Sequence, residues 1–463
     1  MRQGDPLAPL LFNIVVDVFS KMLIKGSNQN LIRGLCPRFN PGGVVCLQYA
    51  DDTLLFLEND REVATNLKYI LTCFEQISGM RINYHKSSLI PINISSEDLQ
   101  PFIDIFQCVA VEFLVKYLGI PLHYDRLRRE DLQPLIESII KRIASWRGRL
   151  LSSAAKRILI QSCLASIPVY LLSFFKFPKW ALNLINSQMS NFMWNDEEVN
   201  HKIQLANWPS ICMKKDFGGM GIPNLQDLNL CLIGSWIKRY IQGEGSLWKR
   251  VIDSKYNTKN PIILSCHEAH PSTFWKEVLW AAKAVKVGYR WHVGNGKSIK
   301  FWEDIWFGNS PFATQFWDIY VVSNQQSKTI CELWDGLQLQ CTFRRTFDAE
   351  MMMQWQEILA IAGSIVFSNS KDQLIWQYES KGVYSSSSMY SLVNFRGVRQ
   401  IFLPAVWKLK IPPRIQVFLW LFSQNKIMTR DNLRARGIPK PLECEICKEI
   451  EIVKHLFFSV HSS

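Results

Sequence analysis

The sequence predicts an α+β protein from three observations. Short apolar runs alternate with helical patterns over the first 120 residues, and charged and apolar residues recur at helical spacing from about 125 to 255. After residue 256 the periodicity is mixed and the aromatic density is high. Hydrophobic residues make up 48% and charged residues 20% of the 463 residues, which is typical of a folded protein with room for two or three domains.

Helices are predicted at two places in the first part. Residues 6–23 show helical periodicity after Pro6, and proline is well suited to a first turn. Residues 60–79 form an amphipathic pattern, with Asp60 placed to cap the helix and Gly79 placed to end it.

Strands are predicted between and after these helices. The apolar runs VVCLQYA and TLLFLE flank Asp51 and Asp52, which predicts a β-hairpin with both aspartates at or near its turn. Further strands are predicted within 80–92 and 115–125.

The middle of the chain, from 125 to 255, is predicted to be mainly helical, with the glycine-rich stretch 216–224 as an interruption. The uncharged stretch 158–175 approaches the roughly 18 residues of a membrane-spanning helix. Because it contains Pro168 and several polar residues, we interpret it as a buried helix broken at Pro168 and expect no membrane partner. Short strands are predicted for 270–320, followed by a mixed region and a helical, basic C-terminal part.

The positive charge is concentrated in one segment. The net charge is +13, and residues 121–300 alone hold 26 Lys and Arg against 13 Asp and Glu, together with nine of the 17 tryptophans. This composition favours a polyanionic partner such as nucleic acid, and a basic solvated surface is the alternative.

The location is predicted to be the nucleus or the cytoplasm, with reduced thiols and no secretion. The twelve cysteines are scattered singly, except for Cys444 and Cys447. Asp5, Asn13 and Asp17 interrupt the apolar start of the chain, which argues against a signal peptide.

The Asp51–Asp52 pair needs a positive partner because charges inside an apolar run are costly. Hard divalent cations such as Mg²⁺ prefer carboxylate oxygens, and two-metal sites use them to activate a hydroxyl and to stabilise a leaving phosphate. The alternative is a polar turn without catalysis, since aspartate is a common turn residue.

Four motifs in a fixed order carry a family resemblance. They are RQGDPLAPLLFNIVVD, QYADDTLLF, FEQISGMRINYHKSSLI and VKYLGIPL. In this order and spacing they resemble motifs of the reverse transcriptase of plant non-LTR (LINE-type) retrotransposons. Later segments such as GGMGIPNLQDLNLCLIGSW are also similar to this family, so the resemblance runs through nearly all of the chain.

The resemblance implies an architecture of four parts. They are a partial polymerase palm of antiparallel strands and helices, a mainly helical basic thumb, a Trp-rich linker region and a mixed C-terminal region with a small zinc-binding tail. The corresponding ranges are 1–124, 125–255, 256–370 and 371–463.

The resemblance also implies an activity, RNA-directed DNA synthesis, in which a dNTP is joined to a DNA primer on an RNA template. Asp51 and Asp52 would be the catalytic carboxylates and would hold Mg²⁺. The implied substrate-contacting residues are Gln3 and Gly4 at the template–nucleotide pair, Lys86 at the triphosphate, and Leu118 and Gly119 at the primer. A turn and helix cap is the alternative for Gln3 and Gly4, and a surface charge is the alternative for Lys86.

One catalytic carboxylate of the family is not found in this sequence. The family uses a further aspartate upstream of the QGDPL motif, and this sequence begins within that motif. Asp5 and Asp17 are nearby, but Asp17 falls on a predicted packing helix. We therefore expect a retroelement polymerase fragment that is inactive alone, because polymerisation depends on precise positioning of charge. A non-catalytic nucleic-acid-binding remnant is the alternative.

The C-terminal tail predicts a zinc site at Cys444, Cys447 and His455. Cys-x2-Cys places two thiolates on one zinc, and a downstream histidine can supply a third ligand. The similar region of the family has a cysteine five positions after the histidine, where this chain has Val460, followed by His461. Three alternatives stay open: His461 is the fourth ligand, zinc is bound by three ligands and water, or zinc binding is lost.

Overall fold

The structure is a computed structural model in which residues 5–37, 43–113, 115–122, 126–146, 148–194, 203–243, 245–256, 271–334, 338–397 and 401–459 are described. The chain divides into two compact units. The first comprises Met1–Arg126 with Gly245–Thr258, and the second comprises Leu127–Glu244 with Lys259–Ser463. Helices are combined with small sheets, which agrees with the predicted α+β class and is compatible with a partial polymerase palm.

The described helices are, in chain order, α1 (Ala8–Asn28), α2 (Arg61–Ser78), α3 (Ser96–Phe106), α4 (Arg129–Ala144), α5 (Ser153–Leu159), α6 (Val169–Leu172), α7 (Lys179–Trp194), α8 (Trp208–Ile211), α9 (Leu225–Gln242), α10 (Leu247–Tyr256), α11 (Thr273–Val285), α12 (Phe312–Gln315), α13 (Trp317–Val322), α14 (Ile330–Leu333), α15 (Ala349–Gly363), α16 (Ser386–Asn394), α17 (Phe402–Lys408), α18 (Pro413–Ser423) and α19 (Arg430–Ala435). The described strands are β1 (Cys46–Tyr49), β2 (Asp52–Leu55), β3 (Ser88–Leu89), β4 (Val109–Ala110), β5 (Val115–Tyr117), β6 (Ile120–Leu122), β7 (Tyr289–His292) and β8 (Gln373–Trp376).

Both helices predicted in the first part are present. Helix α1 begins at Ala8, slightly later than predicted, because Asp5 accepts a hydrogen bond from the Leu7 amide and closes the turn that precedes it. Helix α2 follows the prediction closely. Asp60 caps it by accepting from the Glu62 amide, and Gly79 ends it with φ of 69°.

The core of the first unit lies between α1 and α2. Phe19 of α1 meets Phe74 of α2 with 4.8 Å between ring centroids, and Leu23 and Leu67 are buried beside them. Leu55 of β2 packs against this cluster, so the core supports the hairpin that carries the aspartates.

The strand predictions had mixed outcomes. The hairpin around the aspartates is confirmed, since β1 and β2 pair antiparallel. The segment 115–125 contains a second hairpin, β5–β6, in place of one strand. The prediction for 80–92 was wrong apart from β3, because Asn83 closes a local turn by accepting hydrogen bonds from the Lys86 amide and the Ser87 hydroxyl.

The uncharged stretch 158–175 is interrupted as predicted. A π-helical turn at Ile160–Leu164 follows α5, and α6 starts directly after Pro168. Ile160, Leu164 and Leu172 are fully buried in the larger core of the second unit. In the part of the chain that the structure describes, no helix has the length and apolarity required to cross a membrane.

The segment after 270 differs from the strand prediction. Helix α11 occupies its first part, capped by the Ser272 hydroxyl, which accepts from the Trp275 amide. The predicted strand character is present at β7, which pairs antiparallel with the distant β8. Trp302 and Phe301 are fully buried in a separate aromatic core, so this aromatic density serves packing.

Candidate functional site

The loop of the first hairpin positions the two aspartates. Tyr49 pairs with Asp52, which leaves Ala50 and Asp51 as a two-residue loop. Ala50 adopts φ of 52°, a left-handed conformation that is uncommon for a residue with a side chain. Asp51 therefore lies in the turn and Asp52 is the first residue of β2, so the strict alternation of side chains along a strand does not separate them.

The two carboxylates are exposed, and neither forms a hydrogen bond or an ion pair with any described residue. The other two aspartates considered from the sequence are engaged elsewhere. Asp5 holds the turn before α1, and Asp17 pairs with Lys21 Nζ at 2.6 Å on the same helix. Within the described ranges, no third acidic side chain forms a potential metal site with Asp51 and Asp52.

The second hairpin has an equally tight loop. Tyr117 pairs with Ile120, and the loop residues Leu118 and Gly119 have φ of 49° and 79°. Positive φ at both positions is the requirement of a type I′ turn, which suits glycine but costs about 1–2 kcal/mol for leucine.

The structure brings the two hairpins near each other through Tyr117 and Asp52. Burial raises the pKa of the Tyr117 phenol, and the negative charge of Asp52 raises it further. Tyr117 directly precedes Leu118, the first residue of the loop predicted to position the primer.

The remaining substrate residues are not gathered at this site by any described contact. Lys86 is exposed in the turn at Asn83, and no described hydrogen bond or ion pair joins its side chain to Asp51 or Asp52. Gln3 and Gly4 lie outside the described residues.

The second candidate site is formed by Cys444, Cys447 and His455. Their ligand atoms all lie within 4.8 Å of one another, and Cys447 Sγ is 3.0 Å from His455 Nε2. Backbone hydrogen bonds from Cys447 and Ile446 lower the pKa of Cys444 to about 7. Two thiols and an imidazole nitrogen that converge in this way fit a zinc ion, which binds thiolates and neutral histidine. The proposed alternate ligand His461, and Val460 before it, lie outside the described residues.

Two side chains that the sequence did not single out support this group. Glu449 Oε2 lies 3.3 Å from His455 Nδ1, which leaves Nε2 facing the cysteines. Arg430 pairs with Glu451 at 3.2 Å and donates to the Glu443 carbonyl at 2.7 Å. Several glutamates flank the cysteines in the sequence, and only the folded turn shows which of them meets the histidine.

Comparisons with known proteins match the two ends of the chain. Residues 1–122 match the family model described as reverse transcriptase (RNA-dependent DNA polymerase). Residues 384–463 match the model described as zinc-binding in reverse transcriptase. These ranges contain the two hairpins and the Cys–Cys–His group respectively.

Two curated relatives come from Arabidopsis thaliana. One, named "Putative ribonuclease H protein", is 25% identical over 343 residues, which is 71% of this chain and 54% of the relative. The other, named "Uncharacterized mitochondrial protein", is 28% identical over 142 residues, which is 30% of this chain and 92% of the relative. The chain thus spans about half the length of the first relative. The chain therefore resembles a reverse transcriptase at one end and the zinc-binding region of reverse transcriptases at the other, and both of these curated relatives are plant proteins.

Proposed function

We propose that this chain is part of the RNA-directed DNA polymerase of a LINE-type retroelement, which copies an RNA template by extending a DNA primer with dNTPs. The observation that carries the proposal is the pair of carboxylates at the first hairpin loop that pair with no described side chain, together with a second hairpin whose loop is conformationally strained. Backbone strain of this kind is concentrated at functional sites.

In this proposal Asp51 and Asp52 hold Mg²⁺. The donor set fits, because hard cations bind carboxylate oxygens and these two have no competing cationic partner among the described residues. The bound metal would activate the primer hydroxyl and stabilise the leaving pyrophosphate. Leu118 and Gly119 would hold the primer end beside Asp52, while Gln3, Gly4 and Lys86 would contact template and nucleotide.

We further propose that the 463-residue chain does not synthesise DNA by itself. Two carboxylates without a third position metal ions poorly, and no described acidic residue completes the set. Primer extension on an RNA template by the purified chain, abolished in Asp51→Asn, would support the assignment as a polymerase. It would also show that the proposed inactivity of the chain by itself is wrong.

Metal binding tests the proposal without requiring synthesis. Asp51→Asn is expected to weaken Mn²⁺ binding, measured as a Mg²⁺ surrogate by calorimetry, at least about tenfold, since a carboxylate ligand is lost. Asp17→Asn is the matched control, because Asp17 already pairs with Lys21. Equal Mn²⁺ affinity in the two variants would count against a metal site at the hairpin.

For the tail we propose a structural zinc ion held by Cys444, Cys447 and His455, with the fourth position filled by His461 or water. The convergence of the three ligand atoms supports this proposal. Added zinc is expected to raise the melting temperature of the wild-type protein. The melting temperature of the Cys444→Ser variant should not change when zinc is added. Absence of any zinc-linked stabilisation would remove the proposal.

A further inference from the structure

A group of positive side chains in the second unit surrounds the glycine-rich loop that interrupts its helices. Arg157 of α5 is only 5% exposed, and its Nη1 donates to the Met220 carbonyl at 3.1 Å. Its guanidinium carbon lies 5.2 Å from the centroid of the Trp407 ring, and Lys215 Nζ lies 5.0 Å from the same centroid. Two cations therefore share one tryptophan.

A second pair of cations borders the same loop. Trp420 donates to the Gly218 carbonyl at 2.7 Å, and Lys426 Nζ lies 6.0 Å from the centroid of that tryptophan ring. Arg436 is close enough for its charge to lower the pKa of Lys426. Its Nη2 donates to the Leu205 carbonyl at 3.1 Å. We call Arg157, Lys215, Lys426 and Arg436 the cation cluster.

No described carboxylate compensates the charge of the cation cluster. No ion pair joins any of its four members to a described carboxylate, and Asp216, next to Lys215 in sequence, is exposed and does not pair with it. Among the described residues, no hydrogen-bond acceptor contacts three buried nitrogens of this region, Arg157 Nε, Arg436 Nη1 and the Trp407 indole nitrogen.

The charges also repel one another. Burial lowers the pKa of Lys215, and the charge of Arg157 lowers it further. Burial and the charge of Arg436 act in the same way on the pKa of Lys426. Because these surroundings destabilise the protonated forms of the two lysines, a bound anion would stabilise them.

We propose that the cation cluster is a binding site for the backbone phosphates of a nucleic-acid strand. This deepens and rests on the proposed function, since it names residues of the second unit with which a polymerase fragment binds its nucleic acid. Arginine and lysine are the usual phosphate partners. Lys215 and Lys426 are partly exposed, so a phosphate can reach them from solvent, while buried Arg157 supplies a fixed charge beneath.

The glycine-rich loop packs closely against its neighbours, which fixes its position beside the cation cluster. A Cβ added at Gly219 would lie 2.0 Å from the Met213 carbonyl oxygen, and one at Gly221 would lie 3.2 Å from Lys215 Cγ. A side chain at position 219 would therefore displace the Met213 backbone, and Gly221 has φ of 78°, which favours glycine.

The test is binding of the full chain to labelled single-stranded RNA, and in parallel to single-stranded DNA, over a range of salt concentrations and without added magnesium. The double variant Lys215→Gln/Lys426→Gln is expected to bind at least about tenfold more weakly. Its plot of log affinity against log salt should be shallower by about 0.7 for each lost phosphate contact. The control Lys297→Gln/Lys381→Gln removes the same charge from two exposed lysines of the same unit.

Stability separates this role from a structural one. Removing uncompensated charge should leave the melting temperature of Lys215→Gln/Lys426→Gln unchanged or raise it, while nucleic-acid affinity falls. If the double variant does not fold, Lys215→Arg should retain binding and Lys215→Gln should lose it.

Equal binding by the test and control double variants overturns the proposal. Binding of inorganic phosphate that depends on Lys215 and Lys426 but leaves the affinity for nucleic acid unchanged also overturns it. Weaker binding of RNA, of DNA or of both supports it and identifies the strand. Asp51→Asn should bind like the wild type, so failure of the cation cluster and failure of the metal-binding hairpin give different results.

Discussion

Glu449 shows how one carboxylate can set the chemistry of a neighbouring histidine. It lies against Nδ1 of His455, while Nε2 of the same ring faces Cys447. In metal sites such a carboxylate fixes the tautomer and the orientation of the ring and increases its basicity as a ligand.

We therefore expect Glu449→Ala to weaken zinc binding by about 10- to 100-fold, measured by competition with a chelator of known affinity. Glu443→Ala is the matched control, because the contacts of Glu443 with Arg430 and Ile450 are made by its backbone. An equal effect of the two substitutions would show that general acidity of the turn, and not the contact with His455, supports the site.

At the scale of elements, the loop after β7 is organised by a single side chain from far along the chain. Asp372 accepts hydrogen bonds at 2.8 Å from the backbone amides of Gly294, Gly296 and Ser298. Asp372 directly precedes β8, which pairs with β7, so the pairing of these strands and the closure of the loop support each other. A Cβ at Gly294 would lie 2.4 Å from the Ser370 carbonyl oxygen, which explains the glycine there.

Asp372→Ala is expected to reduce the free energy of unfolding by at least about 2 kcal/mol, because three amides lose a charged acceptor. Urea denaturation followed by tryptophan fluorescence measures the change, since Trp291 and Trp376 lie on the two strands. Glu357→Ala, on an exposed position of α15, is expected to have almost no effect. If both variants were equally stable, the carboxylate would not be the organiser of the loop.

At the scale of the molecule, the second unit is joined by polar contacts between segments far apart in sequence. Asn394 of α16 donates to the Asp227 carboxylate of α9 at 3.1 Å and accepts from the Lys214 amide at 2.8 Å. Tyr390 of the same helix accepts from the Asn224 amide at 2.8 Å. These bonds connect the glycine-rich loop and α9 to a helix about 170 residues later.

Asp227 makes the stability of this unit dependent on pH. Burial raises the pKa of its carboxyl group, and the hydrogen bond from Asn394 and the charge of Arg396 only partly offset that effect. A raised pKa favours the folded state while the group is protonated, so this contribution is complete below the ordinary pKa of aspartate. It is lost as the pH rises through the raised value.

Asp227→Asn is expected to abolish that loss, because asparagine keeps an acceptor for Asn394 without a charge. Denaturation midpoints at acidic and neutral pH should therefore converge in Asp227→Asn relative to the wild type. Asp216→Asn, at an exposed position, should follow the wild type. A pH profile of Asp227→Asn identical to that of the wild type would contradict a raised pKa of Asp227.

Local sequence determined the elements that depend on interactions between a few neighbouring residues. The capped helix from Asp60 to Gly79, the hairpin around Asp51 and Asp52 and the break at Pro168 follow from side-chain caps, turn chemistry and the missing amide of proline, which act within one or two turns of chain. The Cys-x2-Cys pattern and its histidine were predictable for the same reason.

Tertiary structure decided what depends on residues distant in sequence. It placed Tyr117 near Asp52, selected Glu449 as the partner of His455, paired β7 with β8 and gathered Arg157, Lys215 and Trp407 from three separate segments. It also replaced the strand predicted at 80–92 with a turn, because Asn83 satisfies nearby backbone groups. Sequence periodicity indicates which face of an element is apolar. Burial and charge balance depend on which elements pack together, and this packing is decided only when the cores of the two units form.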